Sequence, residues 1–390
     1  MEQKKGKATV QFARPPVIAG AASVAGKKES GGPLGPFFDR HLLDDGKEKE
    51  NWEQAESAMQ KEAAELAIEK AGLDREDIRY LFAGDLLGQL IATSFGTVDL
   101  EIPLFGLYGA CSTMGEAMSL GAMMVNAGYA DHVVSMASSH FATAEKQFRF
   151  PLAYGNQRPM SASWTVTGCG AVVIGRQGES GLAKITAVTT GKMVDIGARD
   201  SMNMGAAMAP AAFHTIEQNL EDLGKDETWY DQIITGDLGE IGSRILLDLM
   251  KEKGRDLSRL HMDCGVEIFN KETQDTHAGG SGCGCAAVTL CAAVLPKLQE
   301  GLWKRVLFVP TGALLSTVSY NEGQTIPGLP MEWSLSIWKE IEYGLYQGIC
   351  GWRPDLCAGS DPDGKDKADA GPDHGSSGGF RVCIGRSGAV

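Results

Sequence analysis

Several things are scarce in this sequence. Aromatic residues make up only 7% of its 390 positions. No apolar stretch approaches the roughly 18 residues that a membrane-spanning helix needs, and the N-terminus MEQKKGKATV has no apolar core of the kind a secretory signal requires. These absences predict a soluble chain, peripheral to a membrane at most. No dense Lys/Arg block occurs, and 36 basic residues face 50 acidic ones for a net charge of −14, which argues against nucleic acid as a partner. The nine cysteines form no CxxC pair and no His/Cys cluster, so neither a zinc site nor disulfide staples are expected, and the thiols read as reduced. A GxGxxG turn opening a helix is also missing. Gly168-Cys169-Gly170 leads into the apolar run AVVIG, where glycines suit close strand packing, and implies no nucleotide site.

What is present is a repeat. Gly72–Asp85, GLDREDIRYLFAGD, and Gly224–Asp237, GKDETWYDQIITGD, have the same length, begin with Gly and end in Gly-Asp. A helical apolar pattern precedes each and stops at a Gly placed as a helix C-cap. After each comes a small-residue turn, a helix and a buried strand. The order helix, strand, turn, helix, strand, occurring twice, predicts an internally duplicated α/β chain with mixed sheets and buried helices. The halves are expected at 1–180 and 181–329.

The sharpest local feature is Tyr108-Gly109-Ala110-Cys111-Ser112-Thr113, a turn between the apolar run Ile102–Leu107 and a long helix starting near Thr113. A thiol there faces a helix N-terminus, which lowers a thiol pKa and favours anions. The same crowded turn also suits a cysteine present only for its small size. A second concentration of donors follows the strand Val133–Ala137: Ser138, Ser139, His140, Lys146, Arg149 and Arg158. By itself, such a loop also reads as solvated surface. Asp85 and Asp237, the acids closing the repeat, fit either loop-fixing or ligand roles. Met202, Met204 and Met208 read as helix packing, and Cys283, Cys285 and Cys291 as small buried residues.

The turn and the duplication together resemble the thiolase fold and its ketoacyl-synthase branch, in which a His and an Asn complete the site with the Cys. Asp237 stands where the His is expected, and the loop His277–Cys283, which contains Ser281, has no Asn. An ionised carboxylate cannot donate to an oxyanion. Longer segments carry a closer likeness: GPLGPFFD (32–39), AGDLLGQ (83–89), GACST (109–113), SSHFATAEKQFRFPLAYGNQRP (138–159), DSMNMGAAMAPAA (200–212), TGDLGEIGS (235–243) and AGGSGCGCAAV (278–288). These resemble the stage V sporulation protein AD family of spore-forming Firmicutes, over roughly residues 5–330.

The resemblance implies a non-catalytic binding protein for dipicolinic acid, pyridine-2,6-dicarboxylate, or its calcium chelate, acting in dipicolinate loading of the forespore. It implies no resident cofactor or metal, with calcium as the one ion that would accompany the ligand. It also implies membrane proteins of the same sporulation operon as partners, a peripheral place at the forespore inner membrane, and a homodimer. Cys111, Ser139, His140, Arg149, Asp85, Asp237 and Ser281 become the candidate ligand-binding residues, with Arg158 behind Arg149. The alternative is an acyl-transferring enzyme with Cys111 as nucleophile.

Beyond residue 330 the composition changes. Residues 351–390 hold nine Gly, three Pro and four Ser against five of Leu, Ile, Val and Phe, too few to bury a core. Suitable codons for MEWSLS at 331–336, read in the neighbouring frame, give HGVVFE, which resembles the family's own ending. A frameshift near Pro330 and a disordered, out-of-frame tail over 330–390 are therefore expected.

Overall fold

Each half is built on the same five-strand pattern. The computed structural model, which describes residues 2–46, 49–148, 157–328 and the backbone of 333–338, places β1 at Val17–Ala25, β2 at Ile78–Asp85, β3 at Leu104–Gly106, β4 at His132–Ser139 and β5 at Gly168–Gly175. The second half follows with β6 at Ala183–Thr190, β7 at Gln232–Thr235, β8 at His261–Asp263, β9 at Arg305–Val309 and β10 at Trp333–Trp338. The sheet runs β8-β7-β9-β10-β6-β1-β5-β4-β2-β3. Read outward from the centre, every strand of the first half has its counterpart five numbers later. The pairing sense repeats too: β2 is parallel to β3 and β4, with β5 antiparallel to β4 and β1. In the second half β7 is parallel to β8 and β9, with β10 antiparallel to β9 and β6. A short antiparallel contact, Val17 to Lys184 and Ile18 to Ala183, joins the halves.

The main helices are α1 (Trp52–Lys70), α2 (Ile91–Thr97), α3 (Thr113–Asn126), α4 (Phe141–Phe148), α5 (Met204–Leu223), α6 (Gly239–Glu252) and α7 (Cys283–Thr289). Asn51 caps α1 by accepting from the Gln54 amide at 2.9 Å. Gly224 ends α5 in the left-handed region, and Gly72 takes a positive φ just past α1, as the repeat predicts. Parallel strands need long crossovers, and α3 and α7 supply two, linking β3 to β4 across β2 and β8 to β9 across β7. Every residue of α7 is buried. The chain continues from it through a π turn at Leu290–Val294 into Leu295–Gln299, where Pro296 has no N–H for the helical ladder. The largest apolar core takes residues from both halves, among them Met114, Met118, Ile174, Val288, Leu290 and Val306.

The expectation that the second half stops at 329 and gives way to a disordered tail is corrected for Trp333–Trp338. This segment is β10, paired along both edges, with Leu335 opposite Phe308 on one side and Val188 on the other. The repeat demands it. Without β10, β9 and β6 would leave a row of unpaired backbone groups in the middle of the sheet, and the alternation W-S-L-S-I-W suits a strand. Composition at 351–390 says nothing about these residues. Positions 329–332 and 339–390 lie outside the described residues.

Candidate functional site

The Cys111 turn forms as the sequence predicts: β3 ends at Gly106, a single 3-10 turn covers Ala110–Ser112, and α3 starts at Thr113. Ala110 holds φ 46°, a conformation non-glycine residues seldom adopt. Ser112 Oγ donates to the Gly109 carbonyl at 2.8 Å, and Thr113 Oγ1 donates to the Ala110 carbonyl at 2.7 Å and accepts from the Gly109 amide at 3.1 Å. These bonds fix Cys111 at the floor of a cavity of about 60 Å³, where it is 9% exposed. Leu86, Tyr108 and Phe148 supply apolar and aromatic wall, Glu145, Ser163, Thr165, Ser201 and Ser281 line it with oxygen atoms, and Met202, Met204, Ala313 and Leu315 complete it.

Asp237 lies beneath this floor. Its carboxyl accepts from Thr311 Oγ1 at 3.0 Å, Ser281 Oγ at 3.0 Å and the Gly282 amide at 2.9 Å, and its charge acts on the neighbouring Cys111 thiol. Burial raises Asp237 above the usual carboxylate range despite these bonds. The expectation that a helix terminus lowers the Cys111 pKa is reversed. Burial pushes the thiol well above its ordinary value, and the Asp237 carboxylate pushes further. Desolvation of a thiolate this deeply set outweighs a helix-end effect of about 0.3–1 kcal/mol. Cys111 is thus a protonated thiol near a carboxylate, with no imidazole among the cavity-lining residues described.

The other sequence candidates divide. Ser281 joins Cys111 and Asp237. Ser139 and His140 are buried in the framework and do not line the cavity: Ser139 Oγ donates to the Val166 carbonyl at 2.6 Å and accepts from the Gly284 amide at 3.1 Å. His140 accepts from the Ala142 amide on Nδ1 at 3.1 Å, so Nε2 carries the proton toward the Asp45 carbonyl at 3.0 Å, and burial lowers its pKa. It stacks on Trp52 with ring centroids 5.7 Å apart. Asp85 accepts from the Leu87 amide at 3.0 Å, the Thr93 amide at 3.0 Å and Thr93 Oγ1 at 2.7 Å, anchoring α2. Arg149 lies outside the described residues. Arg158 is buried, donates to the Asp275 carbonyl at 2.9 Å, and does not line the cavity. Met202 and Met204 line the cavity, whereas Met208 packs in the core. Tyr108, Glu145 and Thr165 were missed; Tyr108 adjoins the cysteine turn, but nothing in the sequence brings Glu145 and Thr165 to it.

A sequence model of the stage V sporulation protein AD family matches residues 6–335. The chain belongs to that family. Stage V sporulation protein AD of Bacillus subtilis (strain 168) is 42% identical over 322 residues, covering 83% of this chain and 94% of that protein. Among solved structures, a cerulenin complex of Xanthomonas campestris OleA is similar at TM-score 0.52, 16% identity, and 84% and 98% coverage of the two chains. AbyA1, a tetronic acid condensing enzyme, is similar at TM-score 0.52, 17% identity, and 83% and 100% coverage. At these identities the likeness shows the fold, which is thiolase-like with mixed sheet and buried helices. Among the described residues no helix is long and apolar enough to cross a membrane.

Proposed function

We propose that this sporulation protein binds dipicolinic acid, as its calcium chelate, in the cavity above Cys111, and takes part in loading it into the forespore without catalysing a reaction on it. The observation that carries this reading is the pairing of Cys111 with Asp237. A nucleophilic thiol needs its thiolate favoured and donors for the oxyanion; here burial and then the Asp237 charge favour the protonated thiol, and a carboxylate donates nothing to an oxyanion. The Tyr108 and Phe148 walls suit a flat ring, and the Ser163, Thr165, Ser201 and Ser281 hydroxyls suit carboxylate oxygens. No Lys or Arg lines the cavity among the described residues, and Glu145 and Asp237 bring carboxyls close to it. A free dianion would be repelled there, whereas its one-to-one calcium complex is neutral. About 60 Å³ holds a few waters, so binding requires the wall to open, and the unbranched side chains of Met202 and Met204 are the adaptable part of it.

The protein would act at the forespore inner membrane as a peripheral partner of membrane proteins from the same operon. The edge strand β3 carries exposed Leu104 and Phe105, and neighbouring Phe95 and Val98 are 69% and 64% exposed. An open edge flanked by apolar side chains fits a homodimer that extends the sheet. Calorimetry on the full chain with calcium dipicolinate, free dipicolinate and an acyl-CoA tests the reading. Saturable binding, tightest for the calcium complex, is expected. Acyl-CoA turnover that disappears in Cys111→Ala would replace it with acyl transfer.

A further inference from the structure

The two halves secure the turn after their repeat in different ways. In the first, Asp85 anchors its own turn, accepting from the Leu87 amide two residues on and from the Thr93 amide and hydroxyl near the start of α2. Gly239 stands two residues after Asp237, as Leu87 does after Asp85. Its amide goes elsewhere: it donates to Asp263 Oδ1 at 3.0 Å, and the Leu238 amide donates to Asp263 Oδ2 at 2.8 Å.

Asp263 closes β8 and is 3% exposed. It also accepts from the Thr235 hydroxyl at 2.6 Å and the Val266 amide at 3.2 Å. Thr235 has a single proton to give, so His261 Nε2 donates to Thr235 Oγ1 at 2.9 Å. Burial pushes Asp263 up to about 6, which leaves it ionised at neutral pH and able to accept from all its donors. Three of these donors flank Asp237, Thr235 two residues before it and Leu238 and Gly239 directly after. The strand register shows this arrangement to be particular to the second half. Thr235 lies opposite Asp263, whereas their counterparts Ala83 and Gly106 lie opposite each other with no polar side chain. The turn so held is pressed against the segment that leads to Ser281, for Gly239 has φ 62° and a Cβ on it would lie 2.5 Å from the Ala278 carbonyl.

We propose that Asp263 is the positioning residue of the Cys111 floor: it takes over the anchoring that Asp85 performs for its own turn, and so frees the Asp237 carboxyl to reach across the seam to Ser281, Gly282, Thr311 and the cysteine. Without Asp263 the buried Leu238 and Gly239 amides would lack their acceptor, and Asp237 is the adjacent carboxyl that can turn back to them, as Asp85 does to Leu87. The inference rests on the Cys111–Asp237 pairing behind the binding reading and not on which ligand lies above it.

The test therefore reads the cysteine without ligand. Iodoacetamide alkylation of Cys111 and Cys283 is followed against pH by peptide mass spectrometry in the full chain, in Asp263→Ala, in Asp237→Asn and in the double variant. The Asp237 charge raises the Cys111 pKa, second to burial. Drawing that carboxyl away in Asp263→Ala should move the Cys111 profile to lower pH and speed its labelling several-fold at pH 8, although Asp237 is still present. In the Asp237→Asn background the same substitution should add nothing, because Asp263 acts through Asp237. Cys283, on which Asp237 acts only after burial, Glu56 and Asp85, should change far less. Asp222→Ala frees the Lys7 and Ala8 amides elsewhere and should leave the Cys111 profile in place. If Asp263→Ala does not fold, Thr235→Val, which removes one bond to Asp263, should shift the profile the same way by less, again only while Asp237 is present. An unmoved Cys111 profile beside an accelerated Asp237→Asn, equal acceleration at Cys283, or additive effects in the double variant would overturn the proposal. An Asp237→Asn variant that labels like wild type would overturn it together with the pairing on which it rests.

Discussion

Cys111 and Cys283 head the two inner helices, one in each half, and each follows a residue with positive φ, Ala110 at 46° and Gly282 at 98°. The backbones correspond; the surroundings do not. Cys283 is sealed in the core and donates to the Ser138 carbonyl at 2.8 Å, tying α7 to the end of β4. Cys111 opens onto the cavity and faces Asp237. The two acids of the repeat diverge in the same way, since Asp85 anchors its own half's α2 while Asp237 gathers the Ser281–Gly282 turn, Thr311 and the first half's cysteine. Duplication preserved strand order and turn geometry, and the chemistry changed only in what the loops present to the seam.

If the halves are equivalent, each needs its fifth strand. A chain ending at Gly328 lacks β10 and should lose its cooperative thermal transition, while one ending at Ile341 should melt like the full chain. A Gly328 chain that melts normally in calorimetry would show β10 to be dispensable and break the correspondence with β5.

Next in size is the contrast between the acids. Asp85→Ala strands the buried Thr93 amide and hydroxyl and the part-buried Leu87 amide and should cost about 2–4 kcal/mol in denaturant unfolding. Asp237→Asn keeps the shape of its side chain and should cost clearly less. Equal losses would mean that both acids are structural.

The repeat, its Gly-terminated helices, the Cys111 turn and the absence of the expected His and Asn were legible because they are local patterns with fixed spacing. The site was less so. His140 and Ser139 look like donors in a polar run, yet the chain turns both into the framework, a matter of which face of β4 and α4 is buried. Glu145 and Thr165 enter the cavity through tertiary packing and carry no local signal. β10 was hidden by judging a tail on composition, when the duplication itself called for one more strand. Cys111 was misjudged because helix-end position is visible in sequence and depth of burial is not.

Burial of acids offers a smaller test. Glu29 and Glu56 are both pushed up to about 8, chiefly by desolvation, against an ordinary 4.5. A raised carboxyl contributes stability that is complete below about 4.5 and is lost as pH climbs toward 8, because the unfolded chain releases its proton first. Glu29→Gln removes one such group. The melting temperature of the variant relative to wild type should therefore rise by roughly a few degrees between pH 5 and pH 8. A difference that is flat with pH would show Glu29 to be ionised in the folded protein.

The smallest expected effect on stability is also the sharpest probe of the two cysteines. In Asp237→Asn an amide oxygen can still accept from Ser281 and the Gly282 amide, and the amide nitrogen can donate to Thr311, whose hydroxyl rotates to accept. What disappears is the negative charge that raises the Cys111 pKa. Burial remains the larger cause, so the thiol stays above its ordinary value, but its thiolate fraction at pH 8 increases. Alkylation of Cys111 by iodoacetamide, followed by peptide mass spectrometry, should accelerate several-fold in the variant. Cys283 serves as the control within the same molecule, because it is fully buried, bonded to a carbonyl, and raised by Asp237 only after burial, Glu56 and Asp85. Faster labelling at both cysteines would report general loosening of the fold, and unchanged labelling at Cys111 would show that Asp237 does not hold its proton.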